Sequence, residues 1–283
     1  MPPSHPLHHV ETGRHDGPVI VFLHGITGSR RYWEKRVGPL ARRYRLVLPD
    51  LIGFGLSPKP EIAYSMTAFR DSLREFLVDR GLADRPIHFV AHSLGSLIAL
   101  EYAAAYGDHV RRMVLFSLPR FRDSKTAHEL FWRGSPHYRR LLKQQSLRAT
   151  LAQMRRSGLE VTLRYLWKFP WSVIVDSHKC TLNSLTSTLD LCLLNYQVDD
   201  VLPRVPQRPC LLLHGERDAV APLAHVRDLP ELYPAMRLEV FRGTGHHLFL
   251  THPEECLALL TRFLDAGEPE TVASTAHSLS LNT

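Results

Sequence analysis

Cysteine is scarce in this 283-residue chain: four residues, Cys180, Cys192, Cys210 and Cys256, with no C-x-x-C pair among them. Such scatter builds neither a disulfide framework nor a zinc site, and it reads as buried thiols in a reducing, cytoplasmic compartment. Long hydrophobic runs are missing as well. None approaches the roughly 20 residues a membrane-spanning helix needs. The opening Met1-Pro2-Pro3-Ser4-His5 has no apolar core, so no secretory leader is expected. There is no internal repeat. With 44% hydrophobic and 22% charged residues, collagen-like, coiled-coil and wholly disordered chains are excluded. No histidine pair stands at ligand spacing with a carboxylate on a helix, so no metal is expected.

What is present is a rhythm of short β-rich runs and helical stretches, the pattern of a parallel sheet with crossover helices. Val19–Leu23 is a buried strand ended by His24-Gly25. Tyr32 to Arg43 reads as a helix, and Arg45–Leu48 as a strand stopped by Pro49. Thr67 can cap a helix with Phe69, Leu73, Phe76 and Leu77 on its apolar face, ended by Gly81. Strand Ile87–Ala91, helix Leu94–Tyr106 and strand Met113–Leu118 follow. Between about residues 120 and 204 strand signals almost vanish and amphipathic helices take over. The rhythm resumes at Cys210–Leu213, then Leu238–Phe241 and the helix Glu254–Leu264. The expected organisation is a core in two parts, 1–119 and 205–264, with a helical insert over 120–204 and a mobile, Ser/Thr/Ala-rich tail over 265–283.

The most informative segment is Ile87-His88-Phe89-Val90-Ala91-His92-Ser93-Leu94-Gly95. A β-branched strand runs through small-x-Ser-x-Gly into an Ala-rich helix. Small residues two positions either side of the serine let strand and helix backbones pass closely, and the hydroxyl stands out over the sheet edge. The plainer alternative is a serine that caps an ordinary helix. A hydroxyl is a poor nucleophile unless a base and an orienting acid serve it. Strand Cys210–Leu213 leads into a loop with Glu216 and Asp218. Strand Leu238–Phe241 leads into Gly243-Thr244-Gly245-His246-His247. Serine, acid and histidine, each after a different parallel strand, gather at one edge of a sheet. The Leu94 N–H, at the helix start, can stabilise an oxyanion.

With these motifs, His24-Gly25, Pro49-Asp50-Leu51-Ile52-Gly53-Phe54-Gly55-Leu56-Ser57 and Gly245-His246 followed by Pro253-Glu254, the chain resembles the α/β-hydrolase family. The resemblance covers nearly everything except the insert and the tail. It implies an α/β-hydrolase fold, a mostly parallel twisted sheet flanked by helices with an inserted α-helical cap. It further implies Ser93 as nucleophile, His246 as base, Asp218 as orienting acid, and an oxyanion hole from the Ile26 and Leu94 N–H groups. No cofactor is implied. Ala91 departs from the family's usual glycine, and the short stretch before Val19 points to one leading antiparallel strand absent or truncated.

Several other residues compete for these roles. His247 adjoins His246, but the family's spacing from the glycine to Pro253-Glu254 favours His246. Asp50 and Glu216 are alternative acids, His24 and His214 read as structural hydrogen-bonders, and His92 beside Ser93 as a residue that orients the loop. His24 is also carried as a substrate contact, with Trp132, Trp167 and Trp171 of the aromatic-rich insert, which points to a largely apolar acyl substrate. Relatives with a carboxylate nucleophile, the haloalkane dehalogenases and epoxide hydrolases, are disfavoured by Ser93. The expected activity is hydrolysis of a carboxylic ester or thioester. The alternatives are a ligand receptor, an acyltransferase or cyclase, and, less favoured, a carbon–carbon bond hydrolase. Charge is uneven: the chain carries +7, yet from Arg120 to Lys168 twelve Lys and Arg face only Asp123, Glu129 and Glu160. Such a run is commonly a solvated helix face, and the sharper reading is an acidic partner or anionic substrate group at the insert. Nucleic acid is not expected, since no recognition motif accompanies the charge.

Overall fold

The computed structural model describes residues 5–134, 176 and 179–266. Among them seven strands form one sheet: β1 (His9–Gly13), β2 (Val19–Leu23), β3 (Arg45–Pro49), β4 (Ile87–His92), β5 (Val110–Phe116), β6 (Cys210–Gly215) and β7 (Met236–Phe241). Their order is β1-β3-β2-β4-β5-β6-β7. Only β1 runs antiparallel, against β3, and every other neighbouring pair is parallel. Parallel strands covered on both faces read as continuous apolar runs, and β2, β4 and β6 are buried at every position.

Eight α-helices are described: α1 (Arg31–Glu34), α2 (Met66–Asp79), α3 (Leu94–Tyr106), α4 (Ser124–Gly134), α5 (Leu182–Thr188), α6 (Leu229–Leu232), α7 (Leu248–Thr251) and α8 (Pro253–Asp265). One core packs α2 and α3 on one face of the sheet, through Phe69, Leu73, Phe76, Leu97 and Ile98. The other packs α1, α7 and α8 on the opposite face, through Tyr32, Trp33, Phe249, Cys256 and Leu260.

Four sequence expectations change. The helix over 32–43 is α1 followed by a separate 3₁₀ turn, Gly38–Arg42, because Pro39 cannot donate inside a helix. The cap of α2 is Ser65, whose Oγ accepts from the Ala68 N–H, and not Thr67. Strand β5 starts and stops earlier, since Ser117 takes φ 50° and leaves the sheet. Strand β1 was not foreseen: it is partly exposed and defined only by its pairing with β3.

The topology places the site. From β2 the chain goes to β3 on one side and then to β4 on the other, so the order reverses at the β2–β4 boundary. Crevices open there, beyond the carboxyl ends of the strands. His24-Gly25 leaves β2 at this point and Ser93 leaves β4. The chain leaves the sheet after β5 and returns at its neighbour β6, Phe116 lying opposite Leu213. The segment between, over 120–204, is described only at its ends, and the tail only to residue 266.

Candidate active site

Ser93 sits in the sharp joint between β4 and α3 with φ 53° and ψ −117°. It is one of three non-glycine residues with positive φ among the described residues. L-residues avoid this backbone. What permits it is close approach: a Cβ on Gly95 would lie 2.5 Å from the Leu23 carbonyl oxygen and 2.8 Å from that of His24. The Ser93 side chain makes no capping bond to α3, which removes the plain helix-cap reading. Its Oγ–H instead donates to His246 Nε2 at 3.0 Å.

The His246 Nδ1–H donates to Asp218 Oδ2 at 2.8 Å. Asp218 is 5% exposed, and its other oxygen accepts from the Val220 and Ala221 N–H groups at 2.9 and 2.8 Å. Burial alone would raise this carboxyl. The charge and hydrogen bond of the His246 ring, together with the Ala221 N–H, outweigh burial and bring it down to about 2. The carboxylate is therefore ionised at neutral pH and holds His246 in the tautomer whose Nε2 is free to take a proton. The two loops meet backbone to backbone: a Cβ on Gly215 would stand 2.5 Å from the carbonyl oxygens of both Thr244 and Gly245.

Leu94 N–H opens α3 beside Ser93, and Ile26 N–H lies on the loop after β2. Among the described residues neither has an acceptor within the fold. That loop passes directly over the nucleophile, since a Cβ on Gly25 would be 3.2 Å from Ser93 Cβ. Serine, imidazole and carboxylate in line, beside free N–H groups, can attack a carbonyl and stabilise the resulting oxyanion.

The rival residues go elsewhere. Asp50 is fully buried and ties two loops together, accepting from the Arg30 N–H at 2.6 Å and the Leu56 N–H at 2.8 Å. Glu216 accepts from the Gly243 N–H. His214 donates from Nε2 to the Ala221 carbonyl at 2.7 Å. The His247 ring packs against His92 and Tyr32 at 5.3 and 6.0 Å, and burial pushes it down to about 3, so it is neutral.

His24, expected among the substrate contacts, accepts from the Leu51 N–H at Nε2 and donates to the Gly25 carbonyl from Nδ1. Both nitrogens are spent on the fold, and burial lowers its pKa. It has none left for a substrate, so the structural role is the one its geometry supports. Trp132 lies in α4, but its side chain is outside the described residues, as are Trp167 and Trp171 entirely. Of the basic residues of the insert, Arg120 is held by Asp199 at 2.7 Å and Asp228 at 2.5 Å. Those from Arg139 to Lys168 lie outside the described residues.

One contact had no signal in the sequence. Asp176, 2% exposed, accepts from Ser29 Oγ at 2.5 Å and pairs with Arg31 at 3.2 Å and Lys179 at 3.0 Å. It joins the returning end of the insert to the loop after β2.

A family model described as alpha/beta hydrolase fold matches residues 18–253. Relatives include the cis-3-alkyl-4-alkyloxetan-2-one decarboxylase of Xanthomonas campestris, 26% identical, with 93% of each chain covered. The 2-(acetamidomethylene)succinate hydrolase of Mesorhizobium japonicum is 25% identical over 88% of this chain and 89% of that protein. Among solved structures, a thermophilic esterase from Thermogutta terrifontis superposes with a TM-score of 0.72 at 23% identity, covering 91% of this chain and 92% of that one.

Proposed function

The chain belongs to the α/β-hydrolase fold family, and from that premise we propose that it is a serine hydrolase cleaving a carboxylic ester or thioester through an acyl-enzyme. The observation that carries the proposal is the unbroken relay Ser93 Oγ to His246 Nε2, 3.0 Å, and His246 Nδ1 to Asp218, 2.8 Å. As Ser93 Oγ attacks the carbonyl carbon, His246 Nε2 takes its proton. The oxyanion is held by the Leu94 and Ile26 N–H groups, while Asp218 stabilises the imidazolium. His246 then gives the proton to the departing alcohol or thiol. Water, deprotonated by the same nitrogen, releases the acid and restores Ser93.

The aromatic content of the insert's sequence favours a largely apolar acyl group. The insert's basic excess makes it the candidate dock for an anionic substrate tail or acidic partner. A cytoplasmic location is favoured by four free cysteines. No helix among the described residues is long and apolar enough to cross a membrane.

Fluorophosphonate labelling mapped by mass spectrometry, followed by a panel of esters, thioesters and lactones, tests the proposal. Lactones belong in it because the oxetan-2-one in the Xanthomonas relative's name is a cyclic ester. The expected result is one adduct, on Ser93, and turnover of at least one class. Folded protein that takes no label on Ser93 overturns the hydrolase reading in favour of a ligand receptor. Labelled protein that passes its acyl group to an added alcohol or thiol in preference to water favours an acyltransferase. Rate loss at raised salt confined to anionic substrates would support the docking role of the insert, and an equal loss for neutral esters would remove it.

A further inference from the structure

The backbone carbonyl of His246 is gripped from two sides. His92 Nε2–H donates to it at 2.9 Å and Ser117 Oγ–H at 3.0 Å. A carbonyl oxygen has two lone pairs, so both bonds can form at once. The donors come from neighbouring strands: His92 ends β4 and Ser117 follows β5. Those strand ends are themselves knit together, the Ser93 N–H donating to the Phe116 carbonyl and the Ser117 N–H to that of Leu213, each at 2.9 Å. His92 is 2% exposed and Ser117 fully buried.

Neither donor is free to wander. The His92 ring stacks on Tyr32 with centroids 4.5 Å apart and planes 17° from parallel. Gly25 also passes so closely that a Cβ there would lie 2.8 Å from His92 Nδ1. Burial keeps the ring neutral, with its proton on the nitrogen that donates. Ser117 holds φ 50°, a costly backbone for serine that brings its hydroxyl to the His246 loop.

That loop needs holding. It follows Gly243 at φ 69° and Gly245, and Asp218 anchors only the far nitrogen of the imidazole. Among the described residues the other nitrogen is met only by the Ser93 hydroxyl, the group that gives up its proton in the reaction. The ring can therefore still swing about its Cβ, and displacement by an ångström at a proton-transfer distance is severe. We propose that His92 and Ser117 are a pair of positioning residues that fix the His246 carbonyl and so keep its imidazole in line between Ser93 and Asp218. The kinetic part of this inference rests on the serine-hydrolase reading, whereas the geometric part stands without it.

Three substitutions in the full chain separate positioning from mere structural support. Ser117→Gly removes the hydroxyl while relieving the positive φ. His92→Phe keeps a stacked ring without a donor, and His92→Gln restores an N–H. The readouts are melting temperature, kcat and KM on a p-nitrophenyl ester per fluorophosphonate-titrated site, and the downfield proton resonance of His246 Nδ1–H, identified by its loss in His246→Gln. Ser117→Gly and His92→Phe should each lower kcat about tenfold at unchanged KM. Their combination should lose more than the product of the two, because either donor alone still holds the oxygen. His92→Gln should stay within about threefold of the parent. Ser117→Gly should melt no lower than the parent, which a purely structural role would not produce.

An unchanged kcat per site and an unchanged Nδ1–H resonance in the double variant overturn the proposal. If the double variant does not fold, the same two readouts on Ser117→Gly decide. If the parent neither labels nor turns over, the hydrolase reading falls, and a broadened or shifted Nδ1–H resonance in the variants still tests the grip.

Discussion

Ser93 combines reactive hydroxyl and unfavourable backbone in one residue. Its φ of 53° with ψ −117° lies where a non-glycine residue costs about 1–3 kcal/mol. The joint survives because its peptide groups are fully used: the N–H donates to the Phe116 carbonyl, and its carbonyl accepts from the Ser96 and Leu97 N–H groups. Replacing Ser93 by glycine removes the strain and the nucleophile together. Ser93→Gly should be inactive and yet more stable by about 1 kcal/mol, after allowance for the entropy glycine adds to the unfolded chain. Equilibrium urea unfolding checks this, and a midpoint below that of the parent would show that the strain is not stored at this residue. At the same scale, His246 and His247 are adjacent and chemically identical. What separates them is direction: one ring spans Ser93 and Asp218, and the other packs into the aromatic cluster with Tyr32.

At the scale of elements, α3 owes its place to Gly95. The backbones of α3 and β2 approach so closely that a methyl group at Gly95 meets two carbonyl oxygens, those of Leu23 and His24. Neither is a flexible side-chain end, so α3 would have to move and would carry Ser93 and the Leu94 N–H with it. Gly95→Ala should cost about 2 kcal/mol or more, and slow fluorophosphonate labelling of the surviving folded protein about a hundredfold. Thermal melting and labelling kinetics check the two parts, and a variant that labels at the parent rate would refute the argument.

Elements read well from sequence where one rule governed them. Strand β2 and helix α3 have the expected limits because an apolar run ends at His24-Gly25 in one case and the small-x-Ser-x-Gly joint opens the other. Where two signals competed, sequence was insufficient. Ser65 and Thr67 can both cap, and the choice went to the residue with extended backbone, Ser65 at ψ 167°. Strand β1 has no marked alternation because it is a half-exposed edge strand, and only its pairing with β3 makes it one.

At the scale of the whole molecule, the packing of histidines sets the acid stability. Burial holds His88, with Arg112 and Arg111 nearby, down to about 4, and His247 down to about 3. It also lowers His24, His92 and His214. An unfolded histidine titrates near 6.5. Below that value the unfolded chain binds more protons than the folded one, so stability falls as pH drops from about 6.5 towards 4. Each such histidine adds a slope of about 1.4 kcal/mol per pH unit inside its window. Asp218 acts lower down: its carboxyl is depressed to about 2, so its contribution is whole above about 4 and is lost as pH falls from there towards 2. Urea midpoints at pH 7, 6 and 5 should fall steeply, and His88→Gln should flatten the fall. Equal midpoints across that range would contradict the burial argument.

Sequence by itself determined the fold class, the edge of the sheet at which chemistry can occur, and the three side-chain types gathered there. Each of these follows from local rules: apolar runs make parallel strands, small residues permit the elbow, and loops after parallel strands emerge on one side. Tertiary structure decided the rest, because it depends on contacts between residues far apart in the chain. Only folding spends both nitrogens of His24 on backbone and joins Asp176 to Ser29. The grip of His92 and Ser117 on the His246 carbonyl is of the same kind, for it requires β4, β5 and the loop after β7 to lie side by side.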